Sequence, residues 1–294
     1  MIKILFVGDV VGKPGRAALR QVLPQWQEKY RPDVTIVNVE NMAHGKGVTI
    51  NTMREIEGLG IDVYTSGNHV FDKGDLSKEC FGKYPNLIRP ANFEGNLPGH
   101  GYYRFSKELP LPPSWEKEGE LQSSAPLQKG KKLGIYHQQF LVLNLNATVF
   151  MENQFNGDIS NAFLALDRLL TDQAQKGDII IVDFHSEATS EKIAFGFYAD
   201  GRVTAVFGTH THVPTADARI LPSGTAYISD VGMTGALNSV LGVKKENALK
   251  KFLDPTVKFK NEPEEEGVAQ VNGVIAEAGS DGKAAKIEKL YQES

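Results

Sequence analysis

Short apolar runs, rich in β-branched residues, alternate along the chain with longer segments whose apolar residues recur at helical spacing. The apolar runs predict buried strands at residues 2–7, 34–39, 62–66, 140–145, 178–183 and 204–207. The segments between them predict covering helices at residues 16–30, 51–59 and 159–175. Strands that alternate with helices in this way are typical of an α/β fold with parallel strands.

Two segments depart from this alternation. Residues 106–132 are rich in Pro, Glu, Lys and Ser, which predicts an exposed insertion. We interpret it as a surface loop in preference to a lid or a docking element. Residues 268–277 and 284–290 flank the sequence GSDGK and predict a β-hairpin. No repeat or linker divides the chain, so we expect residues 1–294 to form one domain with this insertion.

The composition narrows the class of protein. Hydrophobic residues make up 41% of the chain and charged residues 23%, as is usual for a globular protein. A net charge of -4 argues against broad electrostatic binding to nucleic acid or to an anionic membrane. No stretch approaches the ~20 apolar residues of a spanning helix. A single cysteine, Cys80, indicates a reducing compartment, so we expect a cytoplasmic protein in which this thiol is inert.

Polar side chains with metal-binding chemistry follow five of the predicted strands, at the point where each strand ends. The carboxyl ends of parallel strands lie at one edge of a sheet, and ligands bind in the crevice above that edge. We therefore expect the five segments to converge on one site. The residues concerned are Asp9, Glu40, Asn41, Asn68, His69, His185, His210 and His212.

Seven of these residues form a mixed oxygen and nitrogen set that suits Mn, Fe or Zn better than Mg or Ca. Seven ligands are too many for one ion, whereas two ions bridged by a carboxylate would lower the pKa of a water molecule toward ~7. Taken singly, each residue has an ordinary explanation as a cap, a turn residue or a surface histidine. The coincidence of five segments, including the two histidines of GTHTH, favours the metal site.

Competing catalytic motifs are absent from the sequence. Gly8, Gly12 and Gly15 do not form G-x-G-x-x-G, and Lys13 is followed by Pro14, which rules out a P-loop. There is no G-x-S-x-G elbow and no C-x-x-C pair. The sequence therefore does not indicate triphosphate binding, a nucleophilic serine or redox cysteine chemistry.

Six motifs together resemble the YmdB-like branch of the calcineurin-like metallophosphoesterases. The resemblance covers nearly the whole chain apart from the insertion. GNH and GTHTH are shared with the wider superfamily, whereas NVEN and DFHSEATSEK are particular to the branch. The motifs are GDVVGKPGR, NVENMAHGKG, TSGNHVFDK, RPANF, DFHSEATSEK and GTHTHVPTADARILPSGTAYISDVGMTG.

The resemblance implies a four-layer α/β/β/α sandwich and a two-metal phosphodiesterase acting on cyclic nucleotides, with 2′,3′-cyclic nucleotides favoured. It implies iron or manganese, divalent or mixed-valent, with zinc as a further option, and His69 as the proton donor. The implied first shell is Asp9, Glu40, Asn41 and His212, and the implied second is Glu40, Asn68, His185 and His210, with Glu40 bridging. Most members carry Asp-x-His after the first strand, whereas Val10 and Val11 follow Asp9 here. Asn41 resembles a replacement for that histidine.

Other functions stay open at this stage. The same pocket would serve a regulatory protein that senses a nucleotide or an RNA end with little turnover, although the intact His69 weighs against this. A phosphomonoesterase or phosphoprotein phosphatase also fits. The sequence predicts the metal ligands better than it predicts the residues that line the substrate pocket. We expect no membrane partner, and a homo-oligomer and binding of RNA ends are left open.

Overall fold

The computed structural model describes residues 1–111, 134–151, 155, 157–254, 256 and 262–294. Residues 112–132 of the predicted insertion lie outside these ranges. Its first residues, 106–110, lie in a strand that pairs with residues 135–139. None of the helices within the described ranges is long and apolar enough to cross a membrane.

The first sheet contains the strands from both ends of the chain. Its members are β1 (Ile2–Val7), β2 (Val34–Asn38), β3 (Val63–Thr65), β10 (Gly235–Ala236), β13 (Ala269–Ala278) and β14 (Ala284–Glu293). The order is β10, β13, β1, β2, β3, and β14 pairs with β13. Strands β1 to β3 are parallel, whereas β13 runs antiparallel to β1 and to β14. The predicted C-terminal hairpin is therefore confirmed.

The second sheet is formed by the middle of the chain. Its members are β4 (Tyr102–Pro110), β5 (Ile135–Asn146), β6 (Ile179–His185), β7 (Ala205–Thr209), β8 (Arg219–Ile220) and β9 (Ala226–Ile228). The order is β4, β5, β6, β7, β9, β8, with β5, β6, β7 and β9 parallel. A small hairpin of β11 (Ser239–Val240) and β12 (Val243–Lys244) lies outside both sheets.

Helices cover the outer faces of the two sheets. They are α1 (Gly12–Tyr30), α2 (Ile50–Arg54), α3 (Asp75–Lys83), α4 (Ala162–Gln173) and α5 (Thr189–Ala199). A further helix, α6 (Lys245–Leu253), contacts the hairpin of β11 and β12 instead. Leu19 and Trp26 of α1 pack with the outer face of the first sheet. Phe195 of α5 stacks on Phe184 of the second sheet, with ring centroids 4.0 Å apart.

A third apolar core lies between the sheets, where Phe6 of β1 meets Phe207 of β7 at a centroid distance of 5.2 Å. The layers therefore run helix, sheet, sheet, helix, and the predicted α/β/β/α sandwich is confirmed. The burial of each sheet on both faces explains why the strands of the sequence are continuous apolar runs.

Helix α5 was missed by the pattern analysis, for a physical reason. It buries Glu191 and Lys192 while leaving Phe197 53% exposed. An amphipathic pattern depends on apolar residues facing the core, and this helix breaks that rule on both of its faces. Buried polar residues require partners. Glu191 accepts the backbone N–H groups of Thr148 and Val149, and Lys192 contacts Asp230.

Candidate metal centre

The predicted ligands lie where strands of both sheets end. In the first sheet, Asp9 follows β1, Glu40 follows β2 and Asn68 follows β3. In the second sheet, His185 is the last residue of β6, and His210 follows β7 directly. The backbone continues the parallel pairing just past the strands, because Val10 N–H donates to Asn38 O and Val39 N–H donates to Thr65 O. Each polar side chain is therefore placed by a rigid strand.

Nε2 of His185 lies at the centre of one group of ligand atoms. Oδ1 of Asn68 lies 2.9 Å from it, Nδ1 of His210 lies 3.0 Å from it, and Oε1 of Glu40 lies 3.2 Å from it. The donor atoms of Glu40, His185 and His210 all lie within 4.8 Å of one another. Three predicted ligands from different strands thus converge on the fourth.

A second group adjoins the first through Glu40. Nδ2 of Asn41 lies 3.0 Å from Oε1 of Glu40 and 3.1 Å from Nε2 of His212. Rotation of the Asn41 amide by half a turn would present its oxygen at the same place, where a cation requires an acceptor. Asp9 adjoins the first group, because its Oδ2 accepts the backbone N–H of His210 at 3.2 Å and its Oδ1 lies 3.9 Å from Nδ1 of His185. All seven predicted ligands therefore lie in one continuous cluster.

The pKa values of this cluster follow from burial and from the close approach of opposite charges. Burial raises the pKa of Asp9. Burial alone would also raise the pKa of Glu40, but the neighbouring His185 holds it well below its usual range. Burial opposes a charge on His185, yet Glu40 and Asp9 together raise its pKa to about 9. Burial and the charge of His185 lower the pKa of His210 to about 2.

Nε2 of His185 lies where the oxygen and nitrogen atoms of three other residues meet. Metal binding requires deprotonated ligands, so an ion bound there would take the place of a proton on this ring. Among the described residues, no donor forms a hydrogen bond to Oδ1 of Asp9, although the side chain is completely buried. Nδ1 of His185 lies 3.9 Å from this oxygen, too far for a hydrogen bond. A buried carboxylate oxygen without a hydrogen-bond donor is costly, and a cation would satisfy it. The residues present therefore fit a metal site.

Gly67 leaves room for this arrangement. A Cβ atom at position 67 would lie 2.3 Å from Oε2 of Glu40 and 2.4 Å from Nε2 of His185. Such distances are far inside van der Waals contact, so only glycine allows the backbone to pass this close to the two side chains.

His69 faces the same cavity but contacts the cluster differently. Its backbone N–H donates to Oε2 of Glu40 at 3.1 Å, and its ring is not part of the metal-binding group found among the described residues. Nδ1 of the ring lies 2.9 Å from Oδ2 of Asp72. A carboxylate on one ring nitrogen orients the imidazole and leaves Nε2 for another partner.

Several residues that support the cluster were not singled out in the sequence. Nδ1 of His185 lies 2.9 Å from the hydroxyl of Thr209, which donates to Oδ1 of Asp183 at 2.7 Å. Burial raises the pKa of Asp183 to about 7. Nε2 of His210 lies 2.9 Å from Oε2 of Glu187. Asp183 and Glu187 belong to the DFHSEATSEK motif, and that motif was the available signal.

The cluster lies at the base of a cavity with a volume of about 1210 Å³. His69, Asp72 and Glu187 line the part of the wall nearest to the ligands. The lining also includes His44, Lys46, Phe155, Leu241 and Lys251. His44, which belongs to the NVENMAHGKG motif and was not among the predicted site residues, also lies in the wall of the cavity. Nδ1 of His212 lies 3.2 Å from the carbonyl oxygen of Leu241, which connects the cluster to this wall.

The chain matches the family model described as "YmdB-like protein" over residues 5–110 and 123–290. It is 40% identical, over 291 residues, to the 2′,3′-cyclic-nucleotide 2′-phosphodiesterase of Bacillus subtilis strain 168. That alignment covers 98% of this chain and 96% of the relative.

Solved structures show the same architecture. The crystal structure of a novel phosphatase from Mycoplasma pneumoniae superposes with a TM-score of 0.82 at 33% identity, covering 99% of this chain and 93% of that one. A calcineurin-like phosphoesterase from Bacillus subtilis superposes with a TM-score of 0.53 at 13% identity, covering 99% and 90%. The second likeness concerns the fold alone.

Proposed function

The chain belongs to the YmdB-like protein family, and from this premise we propose that it hydrolyses 2′,3′-cyclic nucleotides at a two-metal centre. The name of the Bacillus subtilis relative specifies cleavage of the 2′ ester bond, and we propose the same bond here. Water then adds to phosphorus, the bond to O2′ breaks, and a nucleoside 3′-phosphate is released.

One observation carries this proposal. Oxygen and nitrogen atoms of Glu40, Asn68 and His210 lie 2.9–3.2 Å from Nε2 of His185 at the base of a cavity. A buried carboxylate, an amide and two imidazoles at one point form a ligand set typical of transition metals. Their place at the carboxyl ends of strands of two sheets is where an α/β fold binds its ligands.

Two sets of side chains would hold the metals. We assign Asp9, Glu40, Asn41 and His212 to one ion, and Glu40, Asn68, His185 and His210 to the other, with Glu40 shared. Ions bound there would polarise the phosphoryl group and lower the pKa of a water molecule, as in other two-metal phosphoesterase sites. We propose iron or manganese, divalent or mixed-valent, because the set mixes oxygen and nitrogen donors; zinc also suits it.

His69 is the proposed general acid. Asp72 occupies its Nδ1, so Nε2 is the nitrogen that remains for the leaving O2′. The backbone N–H of His69 donates to the bridging carboxylate of Glu40, which ties the position of the donor to that of the metal ligands. General acid catalysis matters most for a poor leaving group such as a ribose hydroxyl.

We also propose a cytoplasmic location, because a chain with one cysteine and no disulfide pair suits a reducing compartment. Small cyclic nucleotides are the proposed substrates. RNA ends that carry a 2′,3′-cyclic phosphate have the same reacting group and are a second substrate class to be tested, since Lys46 and Lys251 line the cavity.

The test uses metal-stripped protein reconstituted with Mn²⁺. We expect it to convert 2′,3′-cyclic AMP to 3′-AMP, with little turnover of 3′,5′-cyclic AMP, and we expect a chelator to stop the reaction. Products are separated by chromatography, with nucleoside monophosphates and a phosphopeptide as further substrates. Binding of the cyclic nucleotide without turnover under any metal would identify a sensor. Release of inorganic phosphate from the monoesters alone would identify a monoesterase.

A further inference from the structure

The turn that carries His210 and His212 has an unusual backbone. His210 has φ = 98° and His212 has φ = 66°, both in the left-handed region that residues with a side chain seldom adopt. Thr211 lies between them. Backbones of this kind persist only where surrounding contacts hold them in place.

Asp230 makes the contacts that hold this turn. Its Oδ2 accepts the backbone N–H of Thr211 at 3.0 Å and the hydroxyl of the same residue at 2.7 Å. Its Oδ1 accepts the N–H of Gly232 at 2.8 Å. The carboxylate is completely buried and does not line the cavity. Asp230 therefore acts on the turn and not on a substrate.

Lys192 binds the same oxygen of Asp230 that accepts from Thr211. Its Nζ lies 2.6 Å from Oδ2 of Asp230, and the lysine is only 1% exposed. This pair is the reason that α5 buries a charged residue. Replacing a buried ion pair with apolar residues often leaves stability unchanged or higher, so stability alone does not account for the pair. Orientation of the histidine turn does account for it.

We infer that Asp230 and Lys192 are positioning residues that set the metal affinity of the centre by holding His210 and His212 through Thr211. This inference rests on the metal-binding role proposed above for the two histidines. The turn has other contacts, since His210 N–H donates to Asp9 and Met233 N–H donates to His212 O. Asp230, however, is the residue that binds both polar groups of Thr211, between the two histidines.

The test is Mn²⁺ binding to metal-stripped Lys192→Met and Asp230→Asn, measured by calorimetry. Loss of residues that orient metal ligands typically weakens affinity about 10- to 100-fold, and we expect a loss of this size in both variants. The electron paramagnetic resonance spectrum of the bound Mn²⁺ should also change, which a merely structural role would not produce.

Arg104→Met is the matched control. Arg104 pairs with the buried Asp178 at 2.7 Å, at the amino end of β6 and so at the opposite end from His185. This variant also leaves a buried carboxylate without its cation. We expect its melting temperature to fall while its Mn²⁺ affinity stays at the wild-type value.

Wild-type Mn²⁺ affinity and spectrum in folded Lys192→Met and Asp230→Asn would overturn the inference. If neither variant folds, Thr211→Val decides, because it removes only the hydroxyl bond to Asp230. We expect it to weaken Mn²⁺ binding about three- to tenfold, and unchanged binding would refute the positioning role. Failure of the proposed function looks different: His210→Ala would then bind Mn²⁺ as tightly as the wild type.

Discussion

Oε2 of Glu187 lies 2.9 Å from Nε2 of His210, on the opposite side of the ring from the ligand cluster. Nδ1 of the same ring lies 3.0 Å from Nε2 of His185. Glu187 therefore fixes both the orientation of the imidazole and the nitrogen that carries its proton, and Nδ1 is left as a lone-pair donor.

The first prediction follows from this contact. Glu187→Gln keeps an acceptor for Nε2 of His210 but removes the negative charge, so Mn²⁺ affinity should fall. Loss of such a partner typically weakens metal affinity about 10- to 100-fold. We expect about tenfold here, because the side chain of Glu187 is 45% exposed. Glu288→Gln is the control, because Glu288 is similarly exposed and pairs with Lys286 on β14. Equal Mn²⁺ affinity in the two variants, measured by calorimetry, would show that Glu187 does not orient the histidine.

The second prediction separates the proton donor from the metal ligands. His69→Ala should keep its metal and lose about 10²–10⁴-fold in turnover of 2′,3′-cyclic AMP. Turnover of a nitrophenyl phosphodiester should fall much less, because the phenolate leaves without a proton. Asp72→Asn should show the same selectivity with a smaller loss, since it removes the partner of Nδ1. An equal loss on both substrates together with loss of metal would make His69 a ligand or a structural residue.

The third prediction concerns the cluster around His185. His185→Ala and His210→Ala should each lose metal and activity together, because their ring nitrogens lie 3.0 Å apart. Asn68→Ala should weaken one ion and recover part of its activity in added metal. His137→Ala is the control, since that ring is 66% exposed on β5. Elemental analysis after dialysis measures the metal, and full metal content in His185→Ala would contradict the assignment.

How far the sequence predicts this site depends on the kind of contact. Asp9, Glu40 and His185 follow apolar runs that predict buried strands. The sequence could therefore predict that these residues meet at the carboxyl ends of the strands. The contact between Glu187 and His210 joins residues 23 positions apart, with α5 and β7 between them, and depends on tertiary packing. The helix that carries Lys192 was missed because its buried face includes the charged residues Glu191 and Lys192, and only the structure shows Asp230 as the partner of Lys192.

The fourth prediction concerns Cys80. Burial raises the pKa of its thiol to about 11, and its Sγ–H donates to Leu76 O on the same helix. Because the thiolate is the reactive form, the native protein should resist a thiol reagent at pH 8, and its reactivity should rise about tenfold per pH unit toward pH 11. The urea-unfolded protein is the control and should react with one equivalent at once. Equally fast labelling of the folded protein at pH 8 would show that the thiol is accessible.

The fifth prediction concerns the proposal that residues 1–294 form one domain. Strand β14 pairs with β13 of the first sheet and also contacts β8 and β9 of the second sheet. The two sheets share an apolar core as well. Thermal unfolding of the metal-stripped protein should therefore be one cooperative transition, with equal calorimetric and van't Hoff enthalpies. Two resolved transitions would show that the sheets unfold separately.

The two sheets supply the ligands in nearly equal shares: Asp9, Glu40 and Asn68 extend from the first, and His185 and His210 from the second. A bound cation would therefore link the two sheets of the sandwich through these side chains. If the metal ion binds only the folded chain and its free concentration is 100 times the dissociation constant, binding adds about 2.7 kcal/mol to the free energy of unfolding. The stability of the folded protein would then depend on the metal concentration around it. Metal scarcity would shorten the lifetime of the protein as well as inactivate it.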